Sequence, residues 1–248
     1  MKILLTEFKR AVLGWRFAVT IAASTAAALI GGWNNIIVLR DFGMPGSFGE
    51  LSISAAVVCM QTNVYLLVLP ILCAIPYADS FTEDFQSRFL RQYLPRAGRN
   101  RYLVSKASVT AISGSLALCV SMLIVLFICT MLLPIRGVEP TEYSSTYKMF
   151  FLALLLVLIG SLPWSLAGGI AGAALKNRYM SYAMPFILFY VLSSFQIRYF
   201  RSFYILSPQE WIKPAHLELH VAYISAAAAA ATAFFIYYLV MRRRLYEI

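Results

Sequence analysis

Residues 80–106 read SFTEDFQSRFLRQYLPRAGRNRYLVSK, and eight of these 27 residues are charged. The flanking stretches 51–77 and 107–135 contain no Asp, Glu, Lys or Arg. The chain as a whole has 248 residues, 60% hydrophobic and 13% charged, with a mean hydropathy of +0.73. A soluble domain carries about 25% charged residues, and so little charge cannot cover so much apolar surface in water. The composition predicts a polytopic membrane protein, with residues 80–106 as a segment that must leave the bilayer.

Six apolar stretches follow from length and hydropathy: about 16–38, 51–77, 102–133, 149–175, 182–197 and 219–240. Pro163 is expected to break the fourth, and the fifth falls short of the usual 20 residues. Residues 1–14 place Ile3, Leu4, Phe8, Ala11 and Val12 opposite Lys2, Glu7, Lys9 and Arg10, which predicts an amphipathic interfacial helix. Trp15 and Trp33 suit the membrane interface. The N-terminus has the basic start of a signal peptide, but its apolar run is too long for one and reads as a retained first span. Residues 39–50 are a Gly/Pro turn region, and 198–218 form a polar and aromatic segment before the last span.

Six spans place both termini on one side. The segments on that side hold fifteen Lys and Arg, against Arg40, Arg136, Lys148, Arg198, Arg201 and Lys213 on the other. The positive-inside rule puts the termini and residues 80–106 in the cytoplasm. The net charge of +10 is then explained by orientation and by anionic headgroups rather than by nucleic acid.

Within the charged stretch Ser80-x-x-Glu83 matches a capping box. Asp79, Glu83 and Asp84 near the start, with Arg88 and Arg91 later, suit the helix dipole. Phe81, Phe85, Phe89 and Tyr93 recur every four residues and form one aromatic stripe; Pro95 and Gly98 end the helix. Such a helix either rests on the headgroups or fills a groove on a cytoplasmic partner. The acidic first turn and the regular aromatic spacing favour the partner.

These residues carry a resemblance. PYADSFTEDFQSRFLRQYLPRAGRNRYLVSK resembles the connection between the second and third spans of bacterial type-2 ABC transporter permeases, above all in Glu83, Pro95, Arg101, Tyr102 and Lys106. The LSPQEW stretch at 206–211 resembles the segment before their last span. The resemblance implies a single permease domain over 1–248. It would be an all-α membrane protein of six transmembrane helices, with an interfacial helix at 1–14, a cytoplasmic coupling helix at 79–95 and an extracellular re-entrant segment at 198–218. It implies that Phe81, Glu83, Phe85, Phe89 and Tyr93 contact a separate ATP-binding cassette ATPase subunit. ATP and Mg would be held in that partner, and a second permease copy or a paralogue would complete the pathway. The bacterial inner membrane and export of an amphipathic peptide, drug or lipid follow as expectations, antimicrobial-peptide self-protection (bacteriocin immunity) among them. The chain itself has no GxxxxGK[ST] loop. A membrane-embedded enzyme and a sensor or scaffold are the alternatives; no catalytic constellation is found.

The remaining features have plainer readings. Gln61, Thr62 and Asn63 are consecutive polar residues deep in the second span, and such groups face the bundle or a pathway. Gln61 and Asn63 are the pathway candidates, with a packing hydrogen bond as the alternative. His216 and His220 stand four apart, but Glu218 lies on another face and a third His is lacking, so no metal site is expected. Cys59, Cys73, Cys119 and Cys129 read as small buried hydrophobes. Gly168-x-x-x-Gly172 and SAAAAAATA at 225–233 offer smooth faces for helix packing.

Overall fold

A computed structural model describes residues 2–42, 48–87, 90, 98–133, 143–200 and 202–246. The described residues are helical or in turns and contain no strand. The helices are α1 (Lys2–Val12), α2 (Trp15–Phe42), α3 (Phe48–Met60), α4 (Asn63–Ala74), α5 (Ser80–Gln86), α6 (Arg99–Leu132), α7 (Tyr143–Leu175), α8 (Arg178–Tyr199) and α9 (Leu219–Leu245). Five are long and apolar enough to cross a membrane: α2, α6, α7, α8 and α9. The chain is a multi-pass membrane protein. A sixth crossing exists only if the bent pair α3–α4 counts as one span.

That pair is where the expected second span, 51–77, departs from one continuous helix. Residues Leu51–Met60 and Asn63–Ala74 meet at 65°. Thr62 marks the break. The Gln61 backbone N–H still makes helical bonds to the Val57 and Val58 carbonyls, whereas the Thr62 hydroxyl donates to the Cys59 carbonyl at 2.9 Å. Thr62 itself takes extended backbone and starts α4. Short polar side chains that bond the local backbone compete with the helix ladder. Gly31 and Gly32 of α2 let that helix lie against the break, since a Cβ at either would collide with Thr62 or Cys59.

Two further expectations change. α7 runs unbroken through Pro163, as transmembrane helices allow when neighbouring helices support the freed backbone. α7 has such support, packing against α3, α4, α6, α8 and α9. α8 has 22 residues rather than 16, because the Asn177 side chain accepts the Tyr179 amide at 3.0 Å and starts the helix within the polar linker.

α6 and α7 form the centre, with α2, α4, α8 and α9 arranged around them. With no hydrophobic force between helices in lipid, association rests on close approach and polar contact. Both occur here. Gly168 faces Ala74, Ala78 and the Ser181 carbonyl, and Gly172 faces Ser181 and Thr82. Ala226 and Ala230 turn inward from α9. Ser24 of α2 reaches Ser121 of α6 at 2.6 Å and Tyr65 of α4 at 3.3 Å. The four cysteines are buried and unpaired.

Candidate functional site

α6 has 34 residues, hence a length of about 50 Å against a hydrocarbon core of about 30 Å. That excess carries the helix through the polar headgroup region, which brings the bilayer to about 40–45 Å. Lys106, seven residues from its start, is fully buried all the same. A buried ammonium needs countercharge, because its desolvation costs several kcal/mol. Two carboxylates supply it: Asp84 at 2.6 Å and Glu7 at 3.1 Å. The Tyr77 hydroxyl accepts from Lys106 at 3.2 Å and donates to Glu7. The Tyr102 hydroxyl donates to Asp84 at 3.0 Å.

Around this centre lies a second ring of pairs. Arg10 donates to Asp84 at 2.9 Å, and Arg16 to Asp79 at 2.7 Å. Glu83 lies between Arg10 at 3.9 Å and Arg178 at 3.6 Å. Four acids thus meet Lys106, Arg10, Arg16 and Arg178, so the network is balanced. It joins α1, the starts of α2, α6 and α8, the turn after α4, and α5.

The electrostatics follow the geometry. Burial pushes the Asp84 carboxyl up, but the Lys106 ammonium and the Arg10 guanidinium outweigh it and hold the group below the usual carboxylate range. Burial pushes the Tyr77 hydroxyl up, and the neighbouring Glu7 charge pushes it further. Arg10 is raised despite burial, by its bond to Asp84 and that carboxylate's charge.

α1 keeps most of its amphipathic reading: Ala11 is buried, Phe8 packs against it, and Lys9 and Arg10 are exposed. Glu7 departs from that reading and turns inward to the buried Lys106, while Leu4 is exposed.

The predicted capping box does not form. Asp79 is the N-cap position and its side chain is engaged by Arg16; the Ser80 hydroxyl has no partner, and Glu83 turns outward to its arginines. Of the aromatic stripe, Phe81 points inward and is 1% exposed, in a cluster with Tyr102, Leu103, Leu166 and Tyr237. This corrects its reading as an outward contact. Phe85 packs on the edge of that cluster, 6.2 Å from the Phe81 ring, with the Lys176 ammonium 5.7 Å above it. Phe85, Thr82, Gly172, Lys176 and Arg244 line a shallow hollow there. Phe89 and Tyr93 lie outside the described residues, as do Pro95 and Arg96.

Gln61 and Asn63 sit at the α3–α4 break rather than on a continuous helix. Asn63 is exposed and Gln61 half-buried. The Gln61 carbonyl accepts from Lys213 at 3.3 Å, which ties the break to the 198–218 segment. That segment turns back among the helices. Trp211 is buried and stacks on Trp164 at 5.9 Å, and Trp164 meets Phe189 edge-on at 5.2 Å. The buried Glu210 carboxylate accepts the amides of Ala215, His216 and Leu217 and pairs with His216 Nδ1 at 2.8 Å. Burial pushes Glu210 up, but the His216 bond and these amides hold it below its usual range. His220 instead meets Glu218 at 3.2 Å, so the two histidines do not converge. Among the described residues, no three His, Cys, Asp or Glu form a metal-binding group.

No protein-family model matches the chain, and neither does any characterised protein. The ion network is the feature that residue-level sequence reading missed. Its signal was present: Lys106 borders a 29-residue stretch free of Asp, Glu, Lys and Arg, and an ionisable residue at such a place calls for a partner.

Proposed function

We propose that the chain is the membrane permease subunit of an ATP-driven transporter of the type-2 ABC class. It would sit in the bacterial inner membrane with both termini cytoplasmic, and would pair with a second copy or a paralogue. The observation that carries this reading is α5. A short helix between membrane spans is held by ion pairs to α1 and to the starts of α6 and α8. A force applied to α5 would reach several spans through stiff, short-range contacts.

In this reading a separate ATPase subunit, with ATP and Mg, pushes on α5. Glu83 and Phe85 remain as outward contacts on the described part of the helix. Phe81 serves instead to fix α5 to the bundle. The broken second span and the aromatic 198–218 segment would border the pathway of an amphipathic substrate, with Gln61 and Asn63 beside it. An antimicrobial peptide fits such a path.

Purification of the chain from native membranes tests the assignment, with an ATPase expected to accompany it. Phe85→Ala should weaken that association while the permease stays inserted and monodisperse. An intact complex with normally stimulated ATPase activity in this variant would exclude α5 as the coupling element.

A further inference from the structure

The ion network changes the surface at the α1 end. Its four acids, Glu7, Asp79, Glu83 and Asp84, are all taken up by ion pairs. Lys9, Arg99, Arg101, Arg242 and Arg243 stay exposed, and among the described residues no carboxylate pairs with them. What looks in sequence like a mixed-charge segment is, once folded, a basic surface.

Four of these five bases lie on two helix ends that the fold brings together. The Arg99 guanidinium sits 5.6 Å above the Tyr246 ring, and Tyr238 reaches Asn100 at 3.4 Å. The start of α6 therefore touches the end of α9. Arg242 and Arg243 suit the negative end of α9. Arg99 and Arg101 do not suit the positive end of α6. That end has no acid in its first turn, and Gly98 gives it no side-chain cap. Two cations at an uncapped helix start favour an anion, which would accept both amides and guanidiniums.

The neighbouring surface indicates what carries the anion. On α9 the exposed Phe235, Ile236 and Leu239 lie one to two turns before Arg242 and Arg243 on the same face. On α6 the exposed Val104 lies one turn beyond Arg101, with Ile112 two turns further. Each helix shows an apolar face that ends in guanidiniums, as a membrane helix does where acyl chains give way to headgroups.

We propose that the start of α6 and the end of α9 form a headgroup site for an anionic phospholipid, with Arg99, Arg101, Arg242 and Arg243 on its phosphate. The site does not depend on any transport activity.

The test is retention of phosphatidylglycerol over phosphatidylcholine by the full chain after detergent exchange from a mixed bilayer, read by native mass spectrometry. The wild type should keep phosphatidylglycerol selectively. Arg242→Gln with Arg243→Gln should lower retention several-fold, and the quadruple glutamine variant at least about tenfold. The four matching Lys variants should keep most of it, and Lys9→Gln should leave it unchanged. Unchanged selectivity in the double glutamine variant, whose changes sit at the end of α9, overturns the site even if the quadruple variant does not fold. Displacement of the lipid by millimolar inorganic phosphate would show a free-anion site instead. Displacement by polyglutamate would show an acidic protein surface as the occupant. Either result overturns the lipid assignment.

Discussion

The two ends of the bundle hold their buried charge in opposite ways. At the α1 end, Lys106 draws in Glu7 and Asp84, which are 99 and 22 residues away, and Arg10 spans 74 residues to Asp84. At the other end, Glu210 is satisfied by backbone and side chain only five to seven residues away. The apolar wedge Trp211, with a hydrogen bond from Lys213 to the Gln61 carbonyl, anchors that loop to the helices. A network of distant partners forms only when the whole bundle assembles. A local cap can form or open by itself. The α1 end should therefore lose stability globally, and the opposite end should open locally.

Lys106→Met is the sharpest way to break this contrast. It leaves Glu7 and Asp84 buried with reduced countercharge, and removing one partner of a buried pair costs about 3–5 kcal/mol. The purified variant should melt far below the wild type or fail to accumulate. Adding Asp84→Asn to it should recover part of the loss. A wild-type melting temperature for Lys106→Met would mean that the α1 end is not held by charge.

Glu210→Gln should cost less, about 1–3 kcal/mol, since the amides keep a neutral acceptor. Hydrogen exchange should speed up at 215–217 and stay unchanged in α6. Faster exchange spreading into α6 would erase the distinction between a local and a global device.

Acid should affect both ends in the same direction. Asp84 and Glu210 have carboxyl groups depressed in the folded chain. Such groups contribute full stability above their unfolded value, about pH 4, and lose it as the pH falls through the folded value. Melting temperature should be flat above pH 5 as far as these groups are concerned and fall below pH 4. With Asp84→Asn and Glu210→Gln combined, much of that acid-dependent slope should vanish.

The smallest effect should come from Arg10→Gln. Its side chain is 48% exposed, and although its partner Asp84 is buried, that carboxylate keeps Lys106; with the arginine half in solvent the loss should be about 1 kcal/mol. The loss should shrink further at high salt. A large, salt-insensitive loss would extend the buried network out to Arg10.

Composition and period decided much by themselves. Low charge and long apolar runs required membrane helices, and α2, α6, α7 and α9 fall where hydropathy places them, because a lipid-exposed backbone must satisfy its own hydrogen bonds. Boundaries that depend on a single side chain were harder to read. Asn177 starts α8 inside a polar linker, and Thr62, at the break in the second span, makes a local side-chain-to-backbone bond that hydropathy does not register. The four-residue aromatic spacing was legible, but the direction in which Phe81 points was not.

That direction, like the burial of Glu7, was decided only by the tertiary structure. A helical period shows which residues share a face and leaves open which face turns inward. For Glu7 of α1 the choice fell to a lysine 99 residues away, since a buried ammonium left without countercharge is costly. Sequence alone fixes the number of charges at the α1 end. Folding determines which of them cancel and, among the described residues, leaves Lys9, Arg99, Arg101, Arg242 and Arg243 facing outward with no carboxylate partner, because ion pairing acts over a few ångströms of space whatever the separation along the chain.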